Sequence, residues 1–111
     1  MKRTIEDINY SETANSLARF AKALAHPTRI EILHYLDSQS CCFTGDLVEI
    51  FPLAQSTISQ HLKELKNAGL IQGELNSPKI KYCINQENWN KAQKLFEELF
   101  KKNLGDSNGN C

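Results

Sequence analysis

Residues 44–69 read TGDLVEIFPLAQSTISQHLKELKNAG, and the second half of this stretch decides the fold. Three apolar residues recur there at the spacing of one helical face: Ile58, Leu62 and Leu65. Gly69 follows, and glycine is a residue that commonly ends a helix. The pattern predicts a helix of about four turns between Ala54 and Ala68, with one face in the core.

A shorter helix is predicted just before it, from Gly45 to Phe51. Thr44 is a capping residue type, and the carboxylate of Asp46 is favourable in a first helical turn. Pro52 ends this helix. Two helices joined by so tight a turn have the layout of a helix-turn-helix, whose second helix enters the major groove of DNA.

The rest of the chain supplies three more helices and a hairpin. Apolar residues at helical spacing predict helices at Glu12–Leu24, from Pro27 through Leu36 and at Glu87–Asn103, while Ser38–Phe43 is predicted to be a loop. Alternating residues predict two strands, Leu70–Leu75 and Lys79–Ile84, around the turn residues Asn76, Ser77 and Pro78. The expected fold is mainly α with a two-stranded β-hairpin wing, a winged helix-turn-helix of order α-α-α-α-β-β-α.

Length and composition are those of one folded domain. The chain has 111 residues, of which 41% are hydrophobic and 23% charged. We expect one domain over residues 1–103 and a disordered tail over residues 104–111, which are rich in Gly, Asn, Ser and Asp. No segment approaches the ~20 apolar residues of a membrane span, and residues 1–10 lack the apolar core of a signal peptide. We therefore expect no membrane partner and a cytoplasmic location.

The formal net charge of +0 argues at face value against nucleic acid, so the distribution of charge matters more than its sum. On the longer predicted helix, the face opposite the apolar stripe carries side chains that bind base edges or phosphates: Gln55, Ser56, Thr57, Ser59, Gln60 and Lys63. In the wing, Lys79 and Lys81 share one strand face, where they are placed to grip the DNA backbone. The alternatives are an ordinary solvated helix face and an edge strand guarded by lysine.

The sequence resembles the ArsR/SmtB family of metal-responsive repressors over about residues 12–102. Three blocks carry the resemblance: Leu24-Ala25-His26-Pro27-Thr28-Arg29-Ile30, Ser56-Thr57-Ile58-Ser59-Gln60-His61-Leu62-Lys63-Glu64-Leu65 and Ala68-Gly69-Leu70-Ile71. The resemblance implies a homodimeric transcriptional repressor that an inducer releases from double-stranded operator DNA. Two recognition helices about 34 Å apart would read an imperfect inverted repeat. Ala54 departs from the family, which commonly has a capping serine there.

The resemblance also implies dimerisation through the first and last helices. Their apolar stripes are wide, which gives five candidate interface residues: Leu17, Phe20, Trp89, Phe96 and Phe100. Burial between two copies would help a domain this small, because much of its surface is otherwise exposed. Packing within one chain is the alternative for some of the five.

The cysteines are candidate sensor residues. Cys41 and Cys42 lie just before the two positions, here Phe43 and Gly45, where some family members have a cysteine pair. Adjacent thiolates share soft ions, so the pair predicts an inducer such as trivalent arsenic or antimony and no constitutive cofactor. Cys83, on the lysine face of its strand, and Cys111, in the tail, are weaker candidates for a third ligand. Redox sensing and simple packing are the alternatives.

Other sites have less support. The family's zinc site on the last helix needs a histidine, which residues 87–103 lack. No spacing among His26, His34 and His61 brings two imidazoles together, and His61 is expected to pack or to hydrogen-bond to backbone. Because no nucleophile with a base and no phosphate-binding glycine loop is present, we do not expect an enzyme. A protein-docking winged helix and a repressor without an inducer are the alternative functions.

Overall fold

The computed structural model describes residues 9–39, 41–76 and 78–101. Within them the elements follow in the order α1 (Glu12–Leu24), α2 (Pro27–Gln39), β1 (Cys41–Phe43), α3 (Thr44–Ile50), α4 (Gln55–Asn67), β2 (Ile71–Asn76), β3 (Lys79–Ile84) and α5 (Gln86–Lys101). The predicted five helices and hairpin wing are confirmed. No helix of this described part is long and apolar enough to cross a membrane, and the predicted tail at 104–111 lies outside it.

β1 is a strand within Ser38–Phe43, a segment whose sequence predicts a loop. It pairs antiparallel with β3, so that Cys41 lies opposite Cys83 and Phe43 opposite Lys81. β3 also pairs with β2, which gives a sheet of order β1-β3-β2. Three residues are too few to show alternation, and the pairing partner of Cys41 is 42 residues away in sequence, so local patterns could not predict this strand.

The core lies between the helices and the inner face of the sheet. Its most completely buried side chains are Phe20, Ile32, Leu36, Leu47, Ile58, Leu62, Leu65, Leu70 and Ile71. Three of them form the apolar stripe of α4 that the sequence predicts. The stripe holds α4 against the core and leaves its opposite face free.

The end of α4 is fixed by hydrogen bonds. Gly69 has a φ of 85°, a left-handed conformation that favours glycine. Its N–H donates to the Lys66 carbonyl at 2.9 Å, and the Leu70 N–H donates to the Leu65 carbonyl at 3.1 Å, which together form a Schellman motif. The Asn88 side-chain amide donates to the Gly69 carbonyl at 2.9 Å. These bonds set the direction in which the chain leaves α4 for the wing.

Candidate nucleic-acid interface

The polar face of α4 is open to a ligand. All six of its predicted DNA-binding residues are exposed: Gln55, Ser56, Thr57, Ser59, Gln60 and Lys63. Gln60 donates to the Glu64 carboxylate at 3.0 Å. A carboxylate repels phosphates, so the first two turns of α4, before Glu64, are the part best suited to approach DNA.

A groove of about 570 Å³ separates α4 from the wing. Gln55 and Ser59 line it from α4, while Lys79 and Ile80 line it from β3. The Lys79 ammonium lies 5.6 Å from the centroid of the Phe43 ring, close enough for a cation–π interaction that holds the lysine beside the groove. The structure thus brings two predicted helix residues and one predicted wing lysine to the same opening.

Lys81 lies apart from this group. It is half-buried on the outer face of the sheet, with Phe43 opposite on β1 and Glu74 opposite on β2. A carboxylate directly across the strand pair reduces the positive potential that a phosphate would meet. Lys81 is therefore the least supported of the eight residues that are predicted to bind DNA.

Two acidic residues of α3 share the groove, and they have different surroundings. The Asp46 carboxylate accepts a hydrogen bond from the Phe43 N–H at 2.9 Å, which stabilises the start of α3. Glu49 is exposed and lines the groove. The groove therefore carries charges of both signs, which favours positioned contacts over nonspecific attraction to DNA.

A cluster that no sequence pattern predicted joins the three helices α1, α2 and α4. Arg29 Nε donates to Nδ1 of the buried His61 at 3.1 Å, and the Arg29 guanidinium donates to the Ala23 carbonyl at 3.3 Å. The His26 ring packs against the His61 ring with centroids 4.4 Å apart. Burial, followed by the charges of His26 and Arg29, lowers the pKa of His61. The bond from Arg29 leaves neutral His61 with its proton on Nε2.

The expectation that no two imidazoles meet is therefore wrong. His26 directly precedes α2, where its Nδ1 accepts from the Thr28 N–H at 3.2 Å, and His61 is on α4, so tertiary packing brings them together rather than local spacing. His61 does pack, as expected, but its hydrogen-bond partner is a guanidinium instead of backbone. The only signal in the sequence was that His26, Arg29 and His61 all fall in the blocks of the family resemblance.

Comparison with known proteins identifies the family. The protein-family model described as "Bacterial regulatory protein, arsR family" matches residues 26–72. The chain is 38% identical over 104 residues to the arsenical resistance operon repressor of Bacillus subtilis (strain 168), an alignment that covers 90% of this chain and 97% of that one. This chain belongs to the ArsR family.

Other ArsR-type proteins are similar over much of the chain. The HTH-type transcriptional regulator YgaV of Escherichia coli (strain K12) is 35% identical over 75 residues, which cover 68% of this chain and 76% of that one. An ArsR-like transcriptional regulator from Rhodococcus sp. RHA1 superposes with a TM-score of 0.71 at 26% identity and covers 83% of this chain and 86% of that one. ArsR-family proteins are DNA-binding transcription regulators and not enzymes, so the expected family, fold and lack of enzymatic function are confirmed.

The cysteines of this ArsR-family chain are not arranged as predicted. Neighbouring strand residues point to opposite faces, so Cys41 and Cys42 diverge. Cys41 forms a disulfide with Cys83 on the outer face, with Cα atoms 4.2 Å apart. Cys42 is 3% exposed, and burial, with a smaller effect of the Asp46 charge, raises its pKa to about 11. A vicinal thiolate pair at Cys41 and Cys42 is therefore wrong, because Cys42 is a buried thiol.

Cys83, which strand alternation made a weak candidate, is the actual partner of Cys41. Alternation did place Cys83 on the lysine face, but it could not reveal that β1 pairs with β3 and brings Cys41 opposite Cys83. Within residues 9–39, 41–76 and 78–101, no three His, Cys, Asp or Glu side chains converge on a metal site. Cys111 lies outside the described residues.

The predicted dimer residues differ in exposure. Phe20 is only 1% exposed within its own chain, so its assignment to an interface is wrong and its ring belongs to the core. Leu17, Trp89 and Phe96 are half-buried, and Phe100 is 66% exposed. The Phe96 and Phe100 rings stack with centroids 6.2 Å apart on α5. The remaining four candidates thus border or form the apolar surface of α1 and α5.

Proposed function

We propose that this ArsR-family protein is a homodimeric repressor that binds operator DNA sequence-specifically through α4 and the wing. The carrying observation is the shared groove, where Gln55, Ser59 and Lys79 face one opening. Glutamine can read an adenine edge, serine can bind bases or phosphates, and lysine can neutralise a phosphate. Ser56, Thr57, Gln60 and Lys63 extend the same exposed face.

The dimer is supported by apolar surface that one chain leaves open. An apolar groove of about 360 Å³ is lined by Leu24, Trp89 and Phe96, and a second groove of about 220 Å³ is lined by Leu17, Leu95 and Leu99. Exposed apolar surface of this kind is typical of a protein interface. A two-fold dimer would place two copies of α4 on successive major grooves, so the operator should be an imperfect inverted repeat.

DNA binding can be measured by fluorescence anisotropy on duplex DNA from the region upstream of the protein's own gene. The double variant Gln55→Ala/Ser59→Ala should bind at least tenfold more weakly, since each good base contact contributes about 1–3 kcal/mol. Lys94→Ala, an exposed change on α5, is the control and should bind as the parent does. If the double variant binds normally, α4 does not read the operator; if no form binds DNA, the protein-docking alternative is favoured.

The salt dependence of DNA binding distinguishes the contribution of the wing from that of α4. Lys79→Ala should lower the slope of log K against log salt by about 1 per subunit, because one phosphate contact is lost. Lys81→Ala should change the slope less, because Glu74 lies opposite Lys81. Equal effects of the two substitutions would contradict the proposed position of the wing.

Dimerisation has its own test. Phe100→Glu places a charge on the most exposed aromatic ring of α5 and should shift the mass measured by light scattering from dimer towards monomer. Lys94→Glu changes charge on the same helix and serves as the control. A chain that is monomeric before any substitution would contradict the proposed homodimer.

We also propose a thiophilic inducer, such as trivalent arsenic or antimony. The Bacillus subtilis relative is named an arsenical resistance operon repressor. In its reduced form, the Cys41–Cys83 pair offers two thiols that thiophilic ions prefer, although the described residues provide no third thiolate beside them. Cys42 contributes nothing to such a site while it stays protonated in the core.

Arsenite titrated into the reduced protein on operator DNA tests this site. Release should be lost in Cys41→Ser and in Cys83→Ser and kept in Cys42→Ala, whose apolar replacement suits the core. Loss of release in Cys42→Ala alone would restore the vicinal pair that the sequence suggests. Absence of release in the unmodified protein would favour a repressor without this inducer.

A further inference from the structure

The Cys41–Cys83 bond joins the two parts of the proposed DNA interface. β1 carries Cys41 and continues directly into α3, the first helix of the helix-turn-helix. Cys83 is on β3, the wing strand that begins with Lys79. The bond therefore links the support of α4 to the strand whose lysine lines the groove.

We propose that Cys41 and Cys83 form a reversible redox pair that controls operator affinity through the position of the wing. The disulfide form binds operator DNA more tightly than the dithiol form. This inference rests on the proposed DNA-binding function and is separate from capture of an inducer ion, which requires the dithiol.

The attachment of β1 explains why a single bond matters. β1 has three residues and lies at the edge of the sheet, where β3 is its only partner among the described strands. Few hydrogen bonds therefore hold it once the disulfide is opened. The groove is sensitive to this attachment because Phe43 of β1 and the adjoining Thr44 line it together with Lys79 and Ile80 of β3.

Oxidation favours DNA binding because the disulfide already restricts the motion of the wing, so less conformational entropy is lost when DNA binds. With the disulfide closed, the end of β1 and the wing strand are held in one register, with Cys41 opposite Cys83. With it open, the strands can separate and Lys79 samples more positions relative to Gln55 and Ser59. A binding surface that is ordered in advance loses less entropy when its ligand arrives.

The redox step is thiol–disulfide exchange with a low-molecular-weight disulfide as the oxidant. The Cys41 thiolate, on the more exposed of the two cysteines, attacks one sulfur of the oxidant and expels one small thiolate. The Cys83 thiolate then attacks the Cys41 sulfur of the mixed disulfide and expels the second. Two protein thiols lose two electrons and two protons, and the oxidant becomes two small thiols. Excess small thiol reverses both steps.

Cys42 supplies an internal control for this pair. It is adjacent to Cys41 but points into the core, on the other side of the sheet from Cys83. Cys42→Ala therefore tests whether any redox response depends on this buried thiol, which the proposed pair does not use. Cys111 is removed as a competitor by working in full-length protein with Cys111→Ser.

The test measures anisotropy on operator DNA in glutathione buffers poised to keep the pair oxidised or reduced, with mass spectrometry to identify the linked peptides. The oxidised protein should bind about fivefold more tightly, the scale expected when a mobile surface is ordered in advance. Cys41→Ser and Cys83→Ser should show the weaker affinity in both buffers, and Cys42→Ala should respond as the parent does.

The outcomes distinguish the inference from the function on which it rests. Equal affinities in the two buffers, with the Cys41–Cys83 linkage present in only one, would overturn the redox inference and leave DNA binding intact. A response that persists in Cys83→Ser would also overturn it. Absence of DNA binding in every form would instead overturn the proposed function, and the inference with it.

Discussion

α4 and the wing form the two halves of the proposed DNA interface, and they are held in different ways. Ile58, Leu62 and Leu65 anchor α4 and are completely buried. In the wing, Leu75 is 80% exposed and Ile80 is 43% exposed, so little apolar packing holds its tip. The position of α4 thus depends on the whole core, whereas the wing packs against the core at its base, through Ile71, Tyr82 and Ile84, and its tip is held by strand pairing. The wing is consequently the half that regulation can move.

Opening the disulfide should have the largest effect on stability. The bond closes a loop between residues 42 apart in sequence. The bond lowers the chain entropy of the unfolded state. Reduction or Cys83→Ser restores that entropy and should therefore decrease the unfolding free energy by about 4 kcal/mol. Urea unfolding of oxidised and reduced protein measures this difference.

Hydrogen exchange sharpens the comparison between the two halves. When the disulfide is opened under native conditions, amide protection should fall first in β1 and β3 and least in α4, because only the strands lose a direct constraint. Equal loss of protection in the strands and in α4 would mean that the wing and helix are one cooperative unit.

A matched pair of leucine truncations tests the two anchorages directly. Leu62→Ala removes a completely buried side chain from α4 and should lower the unfolding free energy by about 3 kcal/mol. Leu75→Ala removes an exposed one from the wing and should change it by less than about 0.5 kcal/mol. Both are measured by urea unfolding under oxidising conditions. Similar losses for the two variants would show that the wing tip is packed after all.

The same difference explains what the sequence could predict. The buried stripe of α4 and its glycine stop are local patterns, so the helix, its exposed face and its end were predictable residue by residue. β1, the Cys41–Cys83 bond and the contact of His26 with His61 each join segments far apart in the chain, and no spacing rule contains them. Phe20 shows another limit of prediction from sequence, because an apolar stripe does not reveal whether it faces its own core or another copy of the chain.

The connection between α4 and the wing can be strained at one residue. In Gly69→Ala, the new Cβ would lie 2.8 Å from Asn88 Nδ2, and alanine disfavours the left-handed φ of 85°. We expect a loss of about 1–2 kcal/mol in unfolding free energy. Gly45→Ala is the control, since a Cβ there meets nothing within 4 Å and the residue lies in helix α3. That variant should be neutral or slightly more stable, and a larger loss at Gly45 than at Gly69 would contradict the cap assigned to α4.

The smallest expected effect is a pH dependence confined to the base of α4. Burial lowers the pKa of His61, so the folded protein resists protonating it, whereas the unfolded chain binds that proton near an ordinary pKa of about 6.5. Just below that pH the unfolded state therefore binds more protons than the folded state does. The contribution of His61 to stability is therefore fully present above about pH 6.5 and declines as the pH falls below it.

His61→Asn tests the sign of this effect, because an asparagine oxygen can accept the bond from Arg29 without titrating. The advantage of the parent over His61→Asn in urea unfolding should shrink between about pH 8 and pH 5, since only the parent must resist this protonation. His34→Asn, at an exposed position of α2, is the matched control substitution. If the advantage of the parent instead grows towards acid pH, the fold stabilises protonated His61. That result would contradict a neutral His61 that accepts the hydrogen bond from Arg29 Nε.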